Sequence, residues 1–242
     1  MGDTGTCGCA KTVSVGSDAE LLDMIVREVR TALRERRPSP ATRAAAAPGQ
    51  YPRIPLGVSN RHIHLTEATF HRLFGPGAKF EQMRPLYQPG EFASAHTLTV
   101  VGPKLRSIPG VRILGPLRKY DQVEVSLTDS IFLGIDPPVA NSGTLDEAAP
   151  LTLAGPAGSV YLERCAIVAS RHIHMTPADA GQLGVRDGDS CRVRIGGAKS
   201  TIFERVLIRT NPNWRLQIHL DTDDANAANV RDDMDVEFLG KM

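Results

Sequence analysis

At 242 residues the chain is long enough for one large domain or two small ones, and either size can bury a hydrophobic core. Its 41% hydrophobic and 23% charged content is ordinary for a soluble globular protein, and no run of 18 or more apolar residues is present to span a bilayer. Lys and Arg number 28 against 27 acidic residues, a formal charge of +1, which argues against a nucleic-acid surface and leaves room for a local anion site.

The opening MGDTGTCGCAKTVSVGS has neither the basic flank nor the apolar stretch of a secretory signal, so the chain reads as cytosolic. Cys7 and Cys9 form a lone C-x-C in this Gly-rich tail and receive no role. Residues 18 to 36 predict an amphipathic helix with Leu22, Ile25, Val26, Val29 and Leu33 on one stripe. Ser17 is its N-cap, Glu20 completes a capping box, and Pro38 ends it. The Pro/Ala-rich segment 38–52 has almost no large apolar residue and reads as a linker. Docking of the stripe on its own domain is one reading; the linker favours a groove on a protein partner, and the weakly basic polar face disfavours a membrane.

From Arg53 onward, short runs of β-formers alternate with Gly and Pro: TLTVVGP, VRILGP, VEVSL, LTLAGPAGSVYL, CRVRI, VLIRT and RLQIHL. Gly-Pro pairs at 102/103, 115/116 and 155/156 and Asp-Gly at 187/188 supply closely spaced turns. The fold class expected is mainly β with short helices: two small β-barrels in tandem, residues 53–169 and 170–242, behind an N-terminal helix on a linker. Strand 53–60 is an alternative member of the second half. Cys165 and Cys191 sit in apolar or alternating strand patterns and read as buried residues, not catalytic thiols.

An internal duplication runs through this body. GVSNRHIHLTEATFHRLFG from Gly57 and IVASRHIHMTPADAGQLGV from Ile167 align without gaps around RHIH. Each copy leaves a strand, presents RHIH and enters a short helix capped by Thr66 or Thr176, with Pro177 suited to the first helical position. In extended backbone His62 and His64 share one face, as do His172 and His174, so each pair can converge on one ion at the ~2.0–2.1 Å that zinc prefers. These are four of the seven histidines, in two matched copies, which favours metal or anion chemistry. In NWRLQIHLD the alternation puts Trp214, Leu216, Ile218 and Leu220 on an apolar face and His219 on the polar one, open to solvent or to a ligand role. Glu124 shares a polar face with Gln122 and Ser126; it is either exposed or the carboxylate of a His-His-carboxylate metal set. Arg118 follows a Gly-Pro turn and precedes Lys119, a cationic spot whose Arg fork suits phosphate, unless it is a solvated loop. His71 and His96 lack a partner pattern and read as surface or packing residues.

The strings SNRHIHL, LTVVGPK, VRILGPLRKYDQVEVS, LAGPAGSVYLERCAIVASRHIHMTPADA and NPNWRLQIHLDTDDANAA, in order over residues 53 to 230, resemble the successive motifs of the phosphate propanoyltransferase family, the phosphotransacylases of bacterial microcompartments. The resemblance implies paired β-barrels, two zinc ions between them, and reversible transfer of a short acyl group between CoA and phosphate. Carried over motif by motif, His62, His64 and Glu124 would hold one zinc, and His172, His174 and His219 the other. Arg118 matches the phosphate-binding, catalytic arginine, while Val58, Ser59, Asn60, Lys104, Arg112 and Asn226 match positions that contact CoA. No acyl-enzyme is expected, since phosphate held by Arg118 and zinc would attack the thioester directly.

The N-terminal helix and linker resemble encapsulation peptides, such as those of propanediol utilisation. They imply microcompartment shell or core proteins as partners through residues 18–36 and a place inside a bacterial microcompartment. A homo-oligomer remains open, and no nucleic-acid or membrane partner is expected. Two rival readings stand beside this one: a zinc-dependent thioester hydrolase, because an open zinc also activates water, and a non-catalytic module in which zinc only staples two barrels.

Overall fold

The structure, a computed structural model, describes Met24, residues 26–28, residues 53–231 and residues 234–242. The chain divides into two compact units, Met1–Ala47 and Pro48–Met242. In the first, Met24 and residues 26–28 are helical and exposed; the remainder of the helix expected over 18–36, with its Ser17 cap, and the linker 38–52 lie outside the described residues.

The second unit is mainly β, as its β-formers and turn residues require. In chain order it contains β1 (Arg53–Ser59), β2 (His62–His64), α1 (Glu67–Phe74), β3 (Gln82–Pro85), β4 (Phe92–Val101), β5 (Ser107–Gly115), β6 (Gln122–Glu124), α2 (Leu127–Leu133), β7 (Val139–Ala140), β8 (Ala149–Gly155), β9 (Gly158–Ala169), β10 (His172–Met175), α3 (Pro177–Leu183), β11 (Ser190–Ile195), β12 (Thr201–Thr210), β13 (Gln217–Asp221), α4 (Thr222–Ala227) and β14 (Asp235–Lys241). Two six-stranded barrels result. One runs β4-β5-β2-β6-β9-β8 and closes where β8 returns to β4, with β3 and β7 added beside β4 and β9. The other closes in the order β1-β13-β10-β12-β11-β14. Closure removes the unpaired edges that strands this short would otherwise expose.

Each barrel has its own apolar core. Ile63, Ile113, Val123, Leu153 and Cys165 lie in the first and Ile173, Val193, Ile208, Ile218 and Cys191 in the second, all without solvent exposure. Burial pushes the Cys165 and Cys191 thiols up to about 12, which leaves them protonated and inert.

The chain crosses between the barrels twice. β1 pairs with β13 and β14, so residues 53–59 lie in the barrel of the C-terminal strands, whereas β2, two residues further on, pairs with β5 and β6 in the other. β9 pairs with β6 and β8 in the first barrel, and β10, again two residues on, pairs with β12 and β13 in the second. Both crossings fall just before RHIH, so the two copies of the repeat exchange their leading strands. Each then enters a capped helix. Thr66 accepts a hydrogen bond from the Thr69 N–H at 3.2 Å, and Thr176 and Asp179 form a full capping box with Pro177 in the first turn.

Candidate two-centre metal site

Strand register assembles the site. His62 lies opposite Glu124, Ile63 opposite Val123 and His64 opposite Gln122 in the antiparallel pair β2/β6. The pair β10/β13 repeats this with His172 opposite His219, Ile173 opposite Ile218 and His174 opposite Gln217. Registered partners share a face of the sheet, so with the isoleucines in the barrel cores the histidines and Glu124 all point out of their barrels. Two three-residue groups follow, His62–His64–Glu124 and His172–His174–His219, in each of which one nitrogen or oxygen per residue lies within 4.8 Å of the others.

Neither group is solvated in the way that isolated strand residues would be. His62, His64, Glu124 and His174 are all below 10% exposed. Yet His64 Nδ1, both ring nitrogens of His174, and His219 Nε2 are buried with no hydrogen-bond partner among the described residues. A buried polar atom left unmade costs about 1–3 kcal/mol, so the orphaned His64 nitrogen beside the Glu124 carboxylate, and those of His174 and His219 beside His172, fit a cation bound by each group. Three of the other nitrogens have partners: His62 and His172 Nδ1 each lie 2.8 Å from the carbonyl two residues earlier, Asn60 or Ser170, and His219 Nδ1 lies 3.4 Å from the Ser59 hydroxyl. Donation from Nδ1 to those carbonyls leaves Nε2 of His62 and His172 with its lone pair toward the centre. Gln122 Nε2 donates to Glu124 Oε1 at 2.7 Å and to Ser142 Oγ at 2.8 Å, which fixes the carboxylate.

Burial also keeps four of the imidazoles neutral, as ligation requires. Desolvation first, then the neighbouring histidines and Arg209 and Arg118, lowers His174 to about 2; burial, His172, His62 and Arg209 lower His219 to about 3. His64 and His172 move in the same direction, again chiefly through burial.

A bidentate ion pair locks each crossing. Arg61 Nε and Nη2 donate to Asp129 at 2.7 Å each, and Arg171 Nε and Nη2 donate to Asp224 at 2.6 and 2.9 Å. Asp129 is in the first turn of α2, whose capping box it forms with Ser126, and Asp224 is in the first turn of α4, capped by Asp221. Each arginine thus ties the turn carrying its His-x-His to the helix that follows the strand carrying the third member of its group. These residues were visible as the first letter of RHIH and in a second gapless alignment, QVEVSLTD from Gln122 with QIHLDTDD from Gln217, which superposes Glu124 on His219 and Asp129 on Asp224.

One cleft is lined by members of both groups, Glu124 of the first and His172 and His219 of the second, together with Ser59, Asn60 and Ser170. Arg118 lies close enough for its charge to act on His64 and on His174. Its backbone N–H donates to Leu65 O at 2.7 Å, and its guanidinium reaches the Tyr120 hydroxyl at 2.9 Å and Glu91 Oε1 at 3.3 Å. Of the residues matched to CoA contacts, Ser59 and Asn60 are in the cleft, Val58 is exposed beside them, and Arg112 lies opposite His62 while donating to the Ser94 and Ala95 carbonyls. Lys104 is exposed in the β4–β5 turn next to Gly134, and Asn226 is exposed on α4. Neither lines the cleft.

One placement departs from the alternation of the sequence. Trp214 precedes the start of β13 and does not join Leu216, Ile218 and Leu220 at the barrel core; it stacks on the His174 ring at 4.0 Å. The backbone turns at Asn211–Trp214, where the Trp214 N–H bonds the Asn211 carbonyl, so the period of two does not extend back to it. His96 packs among Phe70, Phe74 and Phe80 and stands apart from both groups.

Fold and site define a class of protein: paired six-stranded barrels that present two candidate metal-binding groups and an arginine at their junction. A profile of the phosphate propanoyltransferase family matches residues 55–231. The phosphate propanoyltransferase of Lachnoclostridium phytofermentans is 47% identical over 177 residues, covering 73% of this chain and 83% of the relative. That of Rhodopseudomonas palustris is 43% identical over 222 residues, 92% of this chain and 98% of the relative, and that of Salmonella typhimurium 44% over 212 residues, 87% and 92%. The chain belongs to the phosphate propanoyltransferase family, and is an enzyme of the acyltransferase class.

Two outcomes follow from the ion pairs and the buried imidazoles. Arg171→Met should lower the affinity for zinc about 10- to 100-fold, read by competition with a chromophoric chelator, with Arg171→Lys intermediate; unchanged affinity would remove the positioning role. In metal-free protein, unfolded histidines bind protons below about 6.5 while native His174 and His219 do not until about 2 and 3, so stability should fall as pH drops below 6.5. Urea midpoints that stay level between pH 7 and 5 would contradict this.

Proposed function

We propose that the chain transfers a short acyl group between CoA and inorganic phosphate, with a zinc ion held by each three-residue group. The observation that carries this reading is the adjacency of two partly orphaned ligand sets, members of both lining one cleft, with an arginine whose charge reaches both sets. Three protein ligands per ion leave a position for substrate, and zinc there supplies Lewis acidity toward a thioester carbonyl and toward phosphate oxygens.

The chain's own residues do the positioning. Arg118 offers an in-plane fork to phosphate once Glu91 gives way, and its support by the Leu65 carbonyl holds it beside His64. Ser59 and Asn60, in the cleft, sit where the CoA thioester would enter, with Val58, Arg112, Lys104 and Asn226 as outer contacts. A phosphate oxygen forms the new bond to the acyl carbon, the carbon–sulfur bond breaks, and CoA leaves as the thiolate with the bonding pair; the reverse step uses the same groups. With both core cysteines buried and protonated, direct attack needs no nucleophile from the protein.

Residues 18–36 would carry the enzyme to microcompartment shell or core proteins within the bacterial cytoplasm. This is supported by the exposed helical Met24 and Val26 and by the alignment with the Rhodopseudomonas relative, which covers 92% of this chain and so extends upstream of Arg53. Removing residues 1–50 should leave turnover intact and abolish packaging, measured by co-purification with shells; packaging that persists would end this role.

The activity is tested by CoA thiol release from propionyl-CoA. Release should require phosphate, yield acyl phosphate, and stop on chelation, and Arg118→Ala should lose turnover by about 100-fold or more with its thermal midpoint retained. Release without phosphate would make the protein a hydrolase; bound zinc with no release would make the metal structural.

A further inference from the structure

Strand β12 brings a second arginine to the site, and the loop before β13 lays Trp214 against it. In the parallel pair β10/β12, Arg209 is registered with His174, so it projects from the same outward face as the ligand histidines. Its guanidinium lies 5.5 Å from the centroid of the Trp214 ring, the ring that itself stacks on His174. It is half-buried, and no carboxylate, carbonyl or hydroxyl among the described residues accepts from it. The other arginines near the cleft differ: Arg61 and Arg171 are held by carboxylates, Arg112 by two carbonyls, and Arg118 by Glu91 and Tyr120. Stacking occupies the face of a guanidinium and leaves its in-plane N–H donors available, and a half-buried cation with unused donors beside buried imidazoles calls for an anion.

On the reading of the site proposed above, we infer that Arg209 is a second phosphoryl-binding residue, which with Arg118 brackets the phosphate substrate and the phosphoryl group of the acyl phosphate product. Arg209 is placed at His174 by strand register and by the Trp214 ring between them, and the charges of both arginines reach His174, while the cleft with Ser59 and Asn60 opens beside His172 and His219. Arg118 is neutralised by Glu91 before substrate arrives; Arg209 has no such partner, so it supplies the uncompensated charge that draws the dianion in. The pseudo-equivalent strand position in the first barrel, opposite His64, falls at Leu114, so the two-fold repeat is broken here and the anion is held at one end only.

The test compares wild type, Arg209→Gln and Arg209→Lys as purified, metal-loaded proteins. For each, the KM for phosphate and for propionyl-CoA, the affinity for inorganic phosphate by calorimetry, the bound zinc and the thermal midpoint are measured. Arg209→Gln should raise the phosphate KM and weaken phosphate binding by about tenfold or more, leave the propionyl-CoA KM within about twofold and keep its zinc, with Arg209→Lys recovering part of the loss. Unchanged phosphate affinity, a rise confined to the propionyl-CoA KM, or loss of zinc and thermal stability in both variants would overturn the inference, the last by making Arg209 a prop for Trp214 and His174. A wild type that binds phosphate yet releases no CoA would overturn the proposed activity instead, and the calorimetric comparison would still decide Arg209.

Discussion

Ile63 and Ile173 each fill a barrel core without solvent exposure, and on a strand that single fact turns the residues on either side to the opposite face. The histidines that flank them are therefore driven out of two separate barrels by apolar packing, not by any attraction to one another. A slip of one residue at β2 or β10 would bury two imidazoles in an apolar core and expose an isoleucine, so the hydrophobic effect fixes the register that the chemistry needs. Glu124 and His219 inherit their places from the same constraint through Val123 and Ile218.

Exchange of the leading strands between the barrels gives those faces a common destination. With β1 in one barrel and β2 in the other, and β9 and β10 arranged in reverse, each RHIH lies at a point where the chain passes between barrels. Arg61 and Arg171 stand at these points and clamp the first turns of α2 and α4. Gln88 adds a tie of another kind: buried in a loop of the first barrel, it exchanges two 3.0 Å hydrogen bonds with the Arg215 backbone next to β13. Alignment of the two groups thus rests on charge-assisted and backbone hydrogen bonds where apolar contact alone would allow sliding.

Electrostatically the junction is built for anions. Four imidazoles are kept neutral by burial, and Arg118 and Arg209 place positive charge beside them, with Glu124, Glu91 and Asp221 as the acidic counterparts. Bound cations would add to this positive potential. A site of that kind favours a substrate that brings its own negative charge, which matches phosphate and the phosphate-rich CoA better than it matches neutral water.

Much of this was legible in the chain itself, because alternation, turn residues and repetition are local. The β-rich texture, the caps at Thr66 and Thr176 and the two His-x-His faces follow from period two and from strings read in order, whereas that pattern alone left Glu124 and His219 open between exposure and a ligand role. What the sequence could not decide is which strands would be neighbours. The burial of Glu124 and His219, the pairing of Arg61 and Arg171 with aspartates dozens of residues away, the stacking of Trp214 on His174, and the free guanidinium of Arg209 beside it all arise from contacts between segments distant in the chain. Those contacts depend on barrel closure and strand exchange, and tertiary packing alone sets them.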